Sequence, residues 1–93
     1  MAFTVTEGGI TATVTPEAMD PAKWPQWYAG SRVNRLNFAY NGVPICFRCL
    51  SSGERSEEQN ADDAVRVVRA SLRYFVKNSD KFQPLQFPSS SPQ

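Results

Sequence analysis

The residues most able to do chemistry in this chain are cations. In "RVVRASLRYFVK" the side chains of Arg66, Arg69, Arg73 and Lys77 follow one another at spacings of three, four and four. At about 100° per residue a helix places them on one stripe. Such a stripe can engage an anionic partner, either a nucleic-acid backbone or an acidic protein surface. It can equally be a solvated face, neutralised in part by Asp62 and Asp63 and favoured near the helix C-terminus by the dipole.

A second pair of cations comes from strand pairing. "RLNFAYNGVPICFRCL" turns at Asn41-Gly42, and that turn sets Arg35 directly opposite Arg48. Like charges across a ladder destabilise it, by roughly a few tenths of a kcal/mol when exposed. Two guanidinium groups so placed can clamp a phosphate or carboxylate, and arginine outnumbers lysine seven to three here. The other account is that each arginine pairs with an acid from the "GERSEE" loop. Arg32, three residues before Arg35, joins the same set of candidate contacts to an anionic partner.

The remaining reactive residues point away from catalysis. Cys46 and Cys49 in "CFRC" have the spacing of redox and zinc motifs, but residues three apart on a strand face opposite sides and cannot easily reach disulfide distance. Zinc would need four ligands, and the chain has neither a second cysteine pair nor a histidine. Both cysteines therefore read as reduced and structural, and no metal or cofactor is expected. Glu57-Glu58 and Asp62-Asp63 are neighbours in a loop and a helix start, and without a positioned base they read as solvated charge. Trp24, Trp27 and Tyr28 either form a lid over one end of a small core or act as partner hot spots.

The elements that must position these residues are two hairpins and a helix. "FTVTEGGITATVT" alternates around Gly8-Gly9, so Glu7 pairs with Ile10, Val5 with Ala12 and Phe3 with Val14. The opposite face then carries only Thr4, Thr6, Thr11 and Thr13, and a slip of one residue would mix the two faces. In the second hairpin Tyr40 faces Val43, Phe38 faces Ile45 and Leu36 faces Phe47. Pro44 falls opposite Ala39 with its missing N–H outward, which makes this strand an edge near its turn.

Between the hairpins, "PEAMDPAKWPQWYAGSRVN" predicts an ordered crossing loop in which Thr15, Pro16 and Glu17 open a single helical turn. Asn60 is the expected N-cap of a helix over 61–76, with Asp62 and Asp63 in its first turn and its end near Asn78. Its apolar face comprises Ala61, Ala64, Val65, Val68, Leu72, Phe75 and Val76. The fold class is α+β: an antiparallel four-stranded sheet from two β-hairpins with one C-terminal helix across one face. The periodicity leaves strand order open. Residues 1–83 form the domain, with Phe82, Leu85 and Phe87 as a docked strap, and residues 84–93 form an extended or disordered Pro/Ser-rich tail.

Composition narrows the function. Ninety-three residues suit one domain with a modest core. A net charge of +1 implies no general attraction to nucleic acid or membranes, so electrostatic function depends on where charges sit. The absence of histidine removes the commonest general base. No apolar run could cross a bilayer and "MAFTVTEGGI" lacks a signal-peptide pattern, so a cytoplasmic location is expected.

The combination of "MAFTVTEGGITATVTPEAMD" with "NADDAVRVVRASLRYFVKN", in a small domain of threonine-rich hairpins and one helix, resembles the anti-CRISPR proteins encoded by bacterial viruses. It is most similar to inhibitors of type I-F surveillance complexes. That family shares no motif, so the resemblance concerns whole-chain character and transfers no residue roles. It implies a non-enzymatic, stoichiometric inhibitor that docks in the bacterial host cytoplasm on protein subunits around the guide RNA, with possible contact to the RNA backbone, and blocks target DNA pairing. No membrane and no small-molecule substrate are expected. The alternative is a small nucleic-acid-binding module that uses the arginine-rich helix face.

Overall fold

The computed structural model describes residues 1–18, 22 and 30–80. Strands β1 (Phe3–Glu7), β2 (Ile10–Glu17), β3 (Ser31–Tyr40) and β4 (Val43–Ser52) form one antiparallel sheet in the order β1-β2-β3-β4, followed by helix α1 (Glu57–Lys77). The expected α+β architecture is present, and the strand order follows the chain. Trp24, Trp27 and Tyr28, the strap residues Phe82, Leu85 and Phe87, and the boundary expected between residues 83 and 84 lie outside the described residues.

Both tight turns have the geometry their residues favour. Gly8 and Gly9 have φ of 62° and 82°, and Asn41 and Gly42 have 52° and 78°. Positive φ at both central residues gives a turn whose twist matches that of the flanking strands. The registers follow: Glu7 lies opposite Ile10 and Phe3 opposite Val14, while Tyr40 lies opposite Val43 and Arg35 opposite Arg48.

The alternation sorts the sheet into two unlike faces. On one, Val5, Ile10, Ala12, Val14, Leu36 and Phe38 are buried against Val68, Leu72 and Phe75 of α1. Phe75 sits edge-on to Phe38 and Tyr40, with ring centroids 5.2 and 5.1 Å away, and stacks on Phe47 at 6.2 Å. The opposite face exposes Thr4, Thr6, Thr11 and Thr13, and the hydroxyls of Thr6 and Thr11 lie 3.0 Å apart. Cys46 is exposed on this face. Cys49 instead packs against the core, and both thiols are free.

Three local expectations need correction. Thr15, Pro16 and Glu17 do not open a helical turn, because β2 continues through them and pairs Pro16 with Asn34. Proline is tolerated there because β1 ends its pairing at Val14, so no neighbouring strand requires the missing N–H. The N-cap is Ser56, not Asn60. Ser56 Oγ accepts from the Gln59 N–H while the Gln59 side chain accepts from the Ser56 N–H, a capping box worth about 1 kcal/mol.

Asn60 therefore lies inside α1 and is buried. Its side chain donates to the Arg55 carbonyl at 3.0 Å and accepts from the Arg55 N–H at 3.1 Å, which fastens the preceding loop to the helix. Ala61, expected on the apolar face, is exposed. The helix ends at Asn78, as its residue type suggested.

Candidate anionic-partner surfaces

The candidate cations divide between the two sides of the sheet. Arg35 and Arg48 project from β3 and β4 on the face away from α1, whereas Arg66, Arg69, Arg73 and Lys77 belong to α1. Arg32, on the helix side of β3, pairs with Glu57 at 2.6 Å beside the helix N-terminus. That contact joins the start of α1 to the sheet through a largely exposed carboxylate, so Arg32 remains among the candidate contacts on the same terms as the helix arginines.

On the face away from α1, Glu17 lies between the two arginines. Its Oε1 accepts from Arg48 Nε at 2.9 Å and its Oε2 lies 3.2 Å from Arg35 Nη1. The acid that relieves this pair comes from β2, not from the "GERSEE" loop. Its hydrogen bond and charge raise the already high pKa of Arg48. One carboxylate facing two guanidinium groups leaves one positive charge in excess, and Arg35 Nε is buried with no hydrogen-bond partner.

On the helix side a second glutamate repeats this ratio. Glu7 ends β1 on the face that α1 covers, and it lies 3.2 Å from Arg73 Nη1 and 4.0 Å from Arg69 Nε. Arg66 pairs with Asp63 one turn earlier. Together with Asp62 and Val65, these three arginines line a shallow, open groove along the helix. Lys77 continues the stripe and has no carboxylate partner among the described residues.

Asp63 also accepts the backbone N–H of Ser52 at 2.7 Å. That backbone hydrogen bond first, and Arg66 with it, holds the Asp63 carboxyl below its ordinary range against the opposing effect of burial. Burial pushes the Cys49 thiol up, partly offset by a hydrogen bond with Ser71. Among the described residues no three cysteine or carboxylate side chains gather as metal ligands, and no helix is long and apolar enough to cross a membrane.

The two glutamates are the site residues that sequence reasoning missed. For Glu7 a signal was present, since the alternation puts it on the same face as Phe3 and Val5, where the helix must lie. For Glu17 the signal was masked by Pro16, which suggested a helix start. Comparison with protein-family models, curated proteins and solved structures returns no match.

Proposed function

We propose that the chain is a non-enzymatic binding protein that docks on a bacterial CRISPR surveillance complex of type I-F and blocks its pairing with target DNA. The observation that carries the reading is the groove of α1, where Arg66, Arg69 and Arg73 stand side by side on a rigid helix and remain more than half exposed. Ion pairs this exposed stabilise the fold weakly, so they can be exchanged for a partner's anions at little cost. The chain's whole-length resemblance to anti-CRISPR proteins supplies the identity of the partner: protein subunits that surround a guide RNA.

The test is capture of partners from bacterial lysate by the tagged chain, with and without nuclease, followed by target-DNA binding assays with the purified complex. Recovery of surveillance subunits after nuclease treatment, with loss of DNA binding, is the expected result. The triple variant R66A/R69A/R73A should fold normally and lose this capture. The groove also suits a second reading, a nucleic-acid-binding module. In that case binding to naked RNA or DNA persists without any protein complex and weakens steeply with salt.

A further inference from the structure

The outer edge of β4 is interrupted at both ends and open in the middle. In a two-residue hairpin the closing pair, Tyr40 and Val43, exchanges backbone hydrogen bonds, and every second pair after it does the same. The residues between them, Pro44, Cys46, Arg48, Leu50 and Ser52, turn their backbone groups outward. Pro44 has no N–H to offer, and the N–H of Ser52 is already taken by Asp63 at 2.7 Å. Cys46, Arg48 and Leu50 remain, and among the described residues no strand pairs with them.

This window carries a charge that selects its occupant. Arg48 stands at its centre and reaches Glu17 through Nε, which leaves its two terminal nitrogens without partners among the described residues. A guanidinium offers five donors, so a second carboxylate can be accepted from the other side. Across the sheet Arg35 and Arg48 stand in one row, so a residue added opposite Arg48 extends a row with surplus positive charge. A second copy of this chain pairing antiparallel about the same centre would set Arg48 against Arg48, which like-charge repulsion disfavours.

From this we infer that β4 is a docking edge for an extended segment of another protein, about five residues long, with an aspartate or glutamate opposite Arg48. The segment adds a fifth strand: its backbone bonds to Cys46, Arg48 and Leu50, its acid meets Arg48 on the threonine face, and its flanking side chains lie beside Phe47 and Cys49. The surface is separate from the helix groove and goes beyond the proposed inhibition.

The experiment is selection of a displayed library of random nonapeptides on the immobilised full chain, followed by amide chemical-shift mapping with the enriched peptides. Enriched sequences should carry an acid flanked by β-branched residues, and they should shift the amides of Cys46, Arg48 and Leu50. Arg48→Glu should weaken them by about tenfold or more, the size of one charge-assisted contact, and redirect selection toward lysine and arginine. Cys46→Pro, which removes one outward N–H at an edge that tolerates proline, should weaken them without altering charge preference.

Absence of any enriched peptide, absence of an acidic bias, shifts confined to the helix groove, or affinities unchanged in both variants would each overturn the inference. So would a short uridine RNA that shifts the same three amides with equal affinity, since phosphate contact would then replace strand pairing. No surveillance complex is present in the experiment, so its failure and a failure of the proposed inhibition are distinguishable.

Discussion

Glu7 and Glu17 sit at opposite ends of one hairpin, the first beside its turn and the second at its open end, and each is shared by two arginines, yet they do different work. Glu7 ties β1 to Arg69 and Arg73 across two layers, joining an edge strand to the helix. Glu17 acts within one layer, between two arginines that pairing already forces together. Without Glu7 its arginines, both more than half exposed, can turn into water. Without Glu17 the opposition of Arg35 and Arg48 remains, because their strands hold them in place. Equal stoichiometry therefore hides a difference between a clasp and a relief of repulsion.

The largest effect should come from the packing on which only the Glu7 cluster depends. Leu72→Ala empties a fully buried position between α1 and the sheet, at a cost of about 2–5 kcal/mol in urea unfolding. Hydrogen exchange should accelerate more in α1 and β1 than in the hairpin of β3 and β4. Uniform acceleration would show that the two regions unfold as one unit and would break the comparison.

Next in size is removal of the shared acids. Glu17→Gln should cost on the order of 1 kcal/mol and Glu7→Gln a few tenths. Adding Arg35→Gln to Glu17→Gln should recover much of the loss, because the like-charge opposition disappears with it, whereas adding Arg73→Gln to Glu7→Gln should recover nothing. Equal costs for the two single variants would mean that both acids serve as clasps.

How far these clusters can be anticipated from sequence follows from the range of the interactions. The turns at Gly8-Gly9 and Asn41-Gly42 are local, and the two-residue period then carries their register along each strand, so the opposition of Arg35 and Arg48 was legible. The position of Glu7 beside Arg69 and Arg73 depends on the direction in which α1 crosses the sheet, and helical periodicity specifies a face without a crossing direction. The start of α1 was available in "SEEQ", but Asn60 followed by two aspartates offered a competing cap. The buried bonds of Asn60 to Arg55 resolved that competition in favour of Ser56.

Asp63 makes a second clasp, joining α1 to β4 as Glu7 joins it to β1. Its carboxyl is held below its ordinary value, so the stabilisation is fully present above about pH 4 and is lost as pH falls through the lower folded value. Thermal melts of wild type and Asp63→Asn should therefore converge as the pH is lowered from about 5 toward 2. A gap that stays constant over that range would remove the charge from the account and leave only shape.

The smallest effect on stability, and the finest separation of the two faces, should come from the cysteines. Cys46 shares the exposed threonine face with Arg48, whereas Cys49 packs beneath α1 with its thiol pushed up by burial. A thiol reacts as its thiolate, so access favours Cys46 while burial holds Cys49 back. At neutral pH a disulfide reagent should titrate one thiol rapidly. Cys46→Ser should abolish that fast phase without shifting the urea midpoint, and Cys49, partly covered by the core, should react in a slower phase. That slow rate should rise in Leu72→Ala and stay unchanged in Glu17→Gln, because only the first substitution loosens the layer that covers Cys49. Two fast thiols in the wild type would show that α1 does not shield that face.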